Sequence, residues 1–323
     1  MTYEKTKLYD AEYRANFLTP FPGLIVPLPS VQDLSETQNY INEDEARREF
    51  KAFFVQDIWD ITDDLRLTIS ARYDDYSDFG GSFNPRAGLT WQFAEGLDLK
   101  LIYGRAFRAP TFQELYFQNN PGIIGSPDLE PETVDTYEIS LGSELKAFST
   151  RITGFHTTIK DSINTIKLET GSSYYVFQNT DKLRSRGFEL EMKYDFGKGT
   201  YLAMNYTYQD AENQDTEERL TGPGHVGNVM ANIRLSEYFN FYTDFHFQKD
   251  CPRATGDDRE APPDFGIVNT TLIAEDFLKG LEIRGSVYNL LDKEYVSPLA
   301  AGTLPGDLPM PGRSFVVELR YEF

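Results

Sequence analysis

Gly312-Arg-Ser-Phe-Val-Val-Glu-Leu-Arg-Tyr-Glu-Phe323 decides how the rest of the chain is read. Phe315, Val317, Leu319, Tyr321 and Phe323 fall on alternate positions, with Ser314, Val316, Glu318, Arg320 and Glu322 between them. Successive side chains of a strand point to opposite faces, so the segment sorts into an apolar face and a mostly polar one. A helix would scatter the same residues around its circumference. Gly187–Phe196 repeats the pattern: Phe188, Leu190, Met192, Tyr194 and Phe196 oppose Gly187, Glu189, Glu191, Lys193 and Asp195. Residues 239–248 repeat it again, with Phe239, Phe241, Thr243, Phe245 and Phe247 set against Asn240, Tyr242, Asp244, His246 and Gln248. Bare aromatics on one face and charges on the other suit a sheet standing between lipid and water. A soluble sandwich also alternates, so length and connectivity must separate the two.

Working outward, alternation recurs from Glu49 to the end. It predicts strands over 49–60, 65–76, 82–93, 97–108, 132–144, 148–163, 174–196 (core 183–196), 200–210, 225–236, 238–249, 264–275, 281–293 and 312–323. Many run about ten to fourteen residues, above the usual five or six and enough for a tilted strand crossing a bilayer. Short connections (Ile61–Asp64, 94–96, 145–147, 197–199, Glu237 and Asp276–Gly280) alternate with long ones (109–131, 164–182, 211–224, 250–263 and 294–311). Only 77–81 is short where a long one is due. Short turns at one mouth and long loops at the other characterise outer-membrane barrels, and the last strand then descends to the periplasm. Upstream, Pro20, Pro22, Pro27 and Pro29 make 14–48 an outer loop, with Thr2–Tyr13 as the strand ascending to it. The expected fold is all-β: a transmembrane antiparallel up-and-down β-barrel with about fourteen strands present, an even number as in bacterial single-chain barrels.

Composition agrees. The 323 residues include 24 Phe and 20 Tyr, yet mean hydropathy is −0.47. Apolar stretches such as Ala52–Val55 fall far short of the roughly 18 residues a transmembrane helix needs; alternating strands escape that requirement. Net charge is −20, from 31 Lys and Arg against 51 Asp and Glu. That argues against a nucleic-acid partner, whose phosphates call for a basic face. It fits both plain solubility and acidic loops around a polar lumen. Cys251 is the single cysteine, so no intrachain disulfide forms, and nothing beside it resembles a nucleophile motif. The start, Met1-Thr-Tyr-Glu-Lys, lacks the basic and apolar regions of a signal peptide.

Four segments then resemble one family, the TonB-dependent outer-membrane receptors. Gly104-Arg-Ala-Phe-Arg-Ala-Pro-Thr-Phe-Gln-Glu-Leu-Tyr116 is similar to that family's strand-to-loop "FRAP" stretch. Pro127-Asp-Leu-Glu-Pro-Glu132, followed by Tyr137, Glu138 and Gly142, resembles its "NPxLxPE…YExG" stretch, departing at Ser126. Phe177-Gln-Asn-Thr and then Arg186-Gly-Phe-Glu-Leu-Glu191 resemble its "N…GxE" strand. Val287-Tyr-Asn-Leu-Leu-Asp-Lys-Glu-Tyr295, then Pro311-Gly-Arg-Ser-Phe and the terminal Phe323, resemble its C-terminal signature. The order and spacing of the four over some two-thirds of the chain make the match specific.

The resemblance implies a barrel of about 22 strands with a plugged lumen. The expectation is therefore that residues 1–323 are the C-terminal portion of such a barrel, truncated upstream and without its plug domain. A fragment would leave open strand edges in lipid, which is costly. The implied function is active uptake of a scarce nutrient, a ferric siderophore or cobalamin. Outer loops capture it, and TonB transmits inner-membrane energy through the plug. No covalent chemistry and no cofactor are implied, so the chain is not expected to be an enzyme. Expected partners are the TonB complex, the barrel-assembly machinery, lipid and lipopolysaccharide, and the nutrient itself. The expected location is the outer membrane.

Candidate substrate contacts lie at the 109–131 loop. Tyr116, Phe117, Gln118 and Asn119 mix aromatic with amide groups, suiting a planar catecholate or corrin, or else simply pack within the loop. Arg105 and Arg108 near the outer rim suit an anionic siderophore, or else pair with lumen carboxylates. Pro110 ends a strand, and Thr111–Tyr116 then begins a short helix with Glu114 near its N-terminus. Asn289-Leu-Leu-Asp292 ends another strand and turns the chain outward. Asp257, Asp258 and Glu260 form a weak oxygen-ligand candidate for Ca²⁺, with loop solvation as the plainer reading. His156, His225 and His246 have no metal-ligand spacing. Three other classes share parts of this pattern: a passive porin, lacking the plug; a barrel-embedded hydrolase, with His246 beside Asp244 as its visible pair; and a soluble β-sandwich adhesin.

Overall fold

A computed structural model of the chain describes residues 48–119, 122–168, 173–299 and 306–322. The predicted strand Thr2–Tyr13 and nearly all of the loop assigned to 14–48 lie outside the described residues. In chain order the elements are β1 (Phe50–Thr62), β2 (Leu65–Tyr76), β3 (Gly80–Ala94), β4 (Leu97–Arg108), α1 (Phe112–Tyr116), β5 (Ile123–Ile124), β6 (Glu132–Leu145), β7 (Phe148–Lys160), β8 (Ile163–Lys167) and β9 (Tyr175–Asn179). They continue with β10 (Leu183–Gly197), β11 (Thr200–Asn213), β12 (Glu218–Arg219), β13 (His225–Arg234), β14 (Phe239–Lys249), β15 (Phe265–Glu275), β16 (Leu281–Tyr288), β17 (Val296–Ser297), β18 (Leu308–Pro309) and β19 (Ser314–Tyr321).

The main sheet has 14 strands. Its path runs β1-β2-β3-β4-β6-β7-β10-β11-β13-β14-β15-β16-β19, with β12 attached to β11. Sequential neighbours pair antiparallel throughout, the up-and-down order predicted. The strands of the path correspond one for one to the predicted segments downstream of Glu49. The agreement on fourteen is partly accidental, because the sequence count included Thr2–Tyr13 and the structural count includes the two-residue β12. Among the described residues the sheet is open, with β1 and β19 at its edges.

Two predicted strands are corrected. The segment 174–196 is two elements: β9 pairs with β8 in a separate small sheet, and β10 joins the wall. The polar run Asn179-Thr-Asp-Lys182 separates them, and alternation carries across because each piece has one half-buried face. The strand 281–293 ends at Tyr288. Asn289 turns left-handed (φ 48°), and its side chain grips Lys293 by accepting from the backbone N–H and donating to the carbonyl, both at 2.9 Å. The predicted outward turn at Asn289–Asp292 is thus an asparagine-clamped loop.

The wall's two faces follow from register. Leu99 stands opposite Leu141, Leu141 opposite Ile152, Ile152 opposite Leu190, and Leu190 opposite Tyr206, so one row of apolar side chains crosses five strands. Each such cross-strand pair contributes about 0.2–1 kcal/mol. This face is uncovered: Phe315 is 71% exposed, Val317 78% and Leu319 69%. A soluble sandwich would bury these rings and branches against a second sheet. Instead, the buried apolar side chains among the described residues are Leu115, Leu129 and Ile163, all outside the wall strands. The opposite face carries Gln56, Ser70, Arg86, Lys100, Glu138, Glu189, Asn205 and His246. Apolar outside and polar within is the wall of a transmembrane barrel.

Tight turns close one end of the sheet. At residues 95–96, Gly96 adopts φ +70°, and a Cβ there would strike the Glu144 carbonyl. Register shifts at Asp60–Thr62, Gln92–Ala94 and Asp195–Gly197 sit beside such turns, where a bulge adds twist.

Candidate functional site at the outer rim

At the long-loop end, the connection after β4 and the excursion after β7 fold against each other. Pro110, fully buried, stops β4. Thr111 then caps α1: its hydroxyl accepts from the Glu114 N–H at 3.1 Å, and the Glu114 carboxylate accepts from the Thr111 N–H at 2.7 Å. This reciprocal capping box makes a five-residue helix possible. The helix start predicted at Thr111, with Glu114 in its first turn, is where the structure places it.

Arg108 organises the cluster. Its Nε and Nη2 donate to the two oxygens of Glu132 at 2.7 and 2.8 Å, while Nη1 reaches Glu114 at 3.0 Å. Glu132 also accepts the Ile163 N–H at 2.8 Å. One guanidinium therefore joins β4, α1 and β6, and Glu132 extends the link to β8. Bidentate Arg–carboxylate pairs of this kind add geometric specificity as well as energy. Leu115, Leu129 and Ile163 form a small core, with Tyr116 and Phe177 packed on it. The three-stranded sheet β5-β9-β8 covers the module. Asn179 staples its base, accepting from the Glu130 N–H at 2.8 Å and donating to the carbonyls of Glu130 and Asp161 at 2.8 and 2.7 Å. Gly125 is required by contact, since a Cβ there would strike the Phe117 nitrogen and the Leu115 carbonyl.

The predicted contact residues divide. Tyr116 packs on the core, Phe117 caps the helix C-terminus, Gln118 is half-buried and Asn119 is exposed with φ 56°. Arg105 and Arg108, three apart on one strand, stand on opposite faces. Arg108 faces inward with Glu132. Arg105 shares its face with Leu101 and Tyr103 and is bound to Asp135 at 2.8 and 3.0 Å, with the Tyr103 hydroxyl adding a third bond at 3.0 Å. Arg105 belongs to an outward band of ion pairs beyond the apolar belt, which also includes Arg186–Asp210 at 3.0 Å and Arg219–Asp250 at 2.8 Å.

Sequence reading missed Arg48. It donates to the Pro110 carbonyl at 2.6 Å and to Asp78 at 2.8 Å, and lies over the rings of Phe79, Phe112 and Tyr76 at 5.0, 5.0 and 5.6 Å. Its partners are 28 or more residues away, so no local pattern announces it.

At the weak calcium candidate, Asp257, Asp258 and Glu260, the plainer reading of loop solvation applies to two of the three residues. Both oxygens of Asp257 are taken by Arg259, at 2.8 and 2.6 Å, while Asp258 and Glu260 are exposed. Among the described residues no group of three or more His, Cys, Asp or Glu converges on a metal position. Asp257 is instead part of a latch between two outer loops. Arg253 binds Asp307 through two bonds of 2.7 and 2.6 Å, and Arg259 donates to the Leu299 carbonyl at 2.6 Å. The guanidiniums hydrogen-bonded to Asp257 and Asp307 hold both carboxyls down at about 2. The histidines are committed elsewhere. His246 bonds Asn228 at 2.8 Å and Gln248 at 3.2 Å, while Asp244 accepts from Asn269 at 2.9 Å, so the His246–Asp244 pair a hydrolase would use is not formed.

A long-stranded wall, bare of cover on its apolar side and crowned by an ordered loop module, defines the outer-membrane barrel class. The family model described as "TonB dependent receptor-like, beta-barrel" matches residues 2–290, and the chain belongs to that family. It is an outer-membrane protein. It is 25% identical over 277 residues to the iron-regulated outer membrane virulence protein of Vibrio cholerae, covering 75% of this chain and 41% of that protein. It is 25% identical over 268 residues to the vitamin B12 transporter BtuB of Photobacterium profundum, covering 82% and 42%. Among solved structures, the siderophore receptor PirA of Acinetobacter baumannii superposes with a TM-score of 0.73 at 20% identity, covering 86% of this chain and 46% of that one. A variant of the ferric enterobactin receptor PfeA of Pseudomonas aeruginosa, in complex with enterobactin, gives 0.74 at 21%, with the same coverage. The chain thus spans less than half the length of these relatives.

Proposed function

We propose that this chain supplies the C-terminal part of the barrel of an active-transport receptor, energised through TonB, that imports a ferric siderophore or cobalamin. The observation that carries this reading is the rim module. A two-faced wall would serve a passive channel equally well, but a helix-capped, Arg108-centred loop assembly with its own small core holds a fixed surface at the mouth, as capture of a bulky ligand requires. The relatives named for iron regulation and for vitamin B12 transport support the same class.

A second feature supports an inserted partner. Glu138 and Glu189 line one lumen-side hollow with Thr153 and Gln209, and among the described residues neither carboxylate has an ion-pair partner. Unmatched carboxylates at mid-wall suit the cationic groups of a plug. Substrate contact is assigned to Tyr116–Asn119 beside Arg108; Arg105, bound to Asp135 on the bilayer side, is left to the outward band. Uptake of radiolabelled ferric siderophore and of cobalamin by cells carrying the gene, with and without TonB, tests the proposal. Saturable uptake of one of them that vanishes without TonB is the expected result. Non-saturable, TonB-independent permeation of small solutes would establish the passive channel instead.

A further inference from the structure

We propose that the outward face of β1 carries one half of a lipid-embedded ion pair: Asp57 binds Lys7 of a strand formed by residues 2–14, and the pair fixes the register in which that strand docks on the open edge of β1. The pair belongs to the assembly of the wall and does not depend on which nutrient the receptor transports.

Asp57 stands where a carboxylate is costly. The outward positions of β1 are Lys51, Phe53, Val55, Asp57, Trp59 and Ile61. Asp57 therefore has Val55 and Trp59 on either side, and its register partner on β2 is Ile69. All three neighbours are exposed apolar side chains of the belt. Other outward charges, Arg105 with Asp135 and Arg186 with Asp210, stand toward the long-loop ends of their strands. An ionised side chain at belt depth is tolerated where an opposite charge meets it. Among the described residues Asp57 has no such partner, and its Oδ1 is shielded from solvent without accepting a hydrogen bond.

The partner must come from the far side of β1. On β2 the outward residues nearest Asp57 are Leu67, Ile69 and Ala71, which carry no charge. The other edge of β1 is open among the described residues, and its N–H and C=O groups need a strand to pair with in hydrocarbon.

Residues 2–14 supply a two-faced one. Tyr3, Lys5, Lys7, Tyr9, Ala11 and Tyr13 alternate with Thr2, Glu4, Thr6, Leu8, Asp10 and Glu12. The acidic set suits the lumen and the tyrosine set the bilayer, which sends both lysines outward. The family model matches from residue 2 onward. Arg48, tied at the outer rim to the Pro110 carbonyl, brings the chain into β1 from outside, so a strand before it ascends and runs antiparallel. Register then chooses the lysine. With Lys7 opposite Asp57, Thr2 falls opposite Thr62 and Arg14 opposite Phe50, and the two strands match end to end. Lys5 falls opposite Trp59, one step nearer the short-turn mouth, where its ammonium reaches the interface. With Lys5 opposite Asp57 instead, Lys7 would face Val55 in mid-belt with no carboxylate.

The test uses the whole receptor expressed from its own gene, in isolated outer membranes. In a C251S background, K7C/D57C is oxidised with copper phenanthroline and the linked peptides are read by mass spectrometry. The 7–57 peptide should form at least about tenfold more than the 5–57 peptide from K5C/D57C, because directly opposite residues lie within disulfide reach and diagonal ones do not. Charge is read separately, by the temperature at which the barrel loses its compact form in SDS. D57N and K7M each strand one charge in the belt and should lower that midpoint by at least about 2 °C. D57N/K7M strands none and should recover it. A double variant whose loss equals the sum of the single losses overturns the ion pair, since residues with unrelated roles simply add. Absence of the 7–57 peptide overturns the docking. So does a K7C/D57C product of twice the chain mass, which would seat a second copy on β1.

Discussion

Arg108 shows how far a single residue's chemistry carries. It sits in a stretch whose sequence marks it as rim, yet the partners that define its role, Glu114 and Glu132, are 6 and 24 residues on. Replacing it with Met leaves two carboxylates facing each other beside a small core. The pair is partly exposed, 41% on the arginine side, so the cost is discounted to about 1–3 kcal/mol. The expected outcome of R108M is loss of hydrogen-exchange protection in β8 and β9 with the wall strands unchanged. R108K should recover only part of it, because an ammonium cannot make the forked contact. Protection in β8 and β9 equal to wild type would show that Arg108 does not hold the module together. Arg105 makes the complementary point: strand parity alone places it on the other face from Arg108, a distinction available from the sequence once β4 is accepted as an unbroken strand.

At the scale of the element, the two faces of β19 make the wall testable. Leu319 lies on the outward face, opposite Ile283, and Arg320 lies on the inward one, opposite Glu282. L319R should destabilise the folded protein in lipid by about 2–4 kcal/mol if it lies near mid-bilayer, measured by urea titration in vesicles, whereas R320L should cost far less. Equal costs would mean that the faces are misassigned. The loop latch responds to acid with a definite sign. Asp257 and Asp307 titrate at about 2 in the folded protein, below the roughly 3.9 of an unfolded aspartate. Their contribution is therefore complete above the unfolded value and is lost as pH falls from about 4 through about 2. Pepsin cleavage within 250–263 should rise across that window, and R253Q should move its onset to higher pH. Cleavage independent of pH in both proteins would remove the latch from the account.

For the whole molecule, the decisive feature is that the sheet is open among the described residues. Unpaired edges in hydrocarbon leave N–H and C=O groups without partners. Residues 1–323 produced alone should therefore give no heat-resistant compact monomer in lipid vesicles, and should associate through their edges. A discrete, monomeric, conducting barrel from this chain alone would sink the proposal that it works as part of a longer wall. Apart from the early end of the 281–293 strand at Tyr288, most strand positions, their two faces, the alternation of short and long connections, and the short helix after Thr111 were determined by the sequence itself. Each rests on period-two patterning or on a side chain bonding its own neighbours, and such interactions span only a few residues. The split of 174–196 was settled only in three dimensions. So were the Arg48 clasp, the loop latch that takes Asp257 from any metal, the grouping of Leu115, Leu129 and Ile163, and the paired or unpaired state of each outward cation. These depend on contacts between groups tens of residues apart, whose energies have no signature in local periodicity and exist only once the wall has set its register.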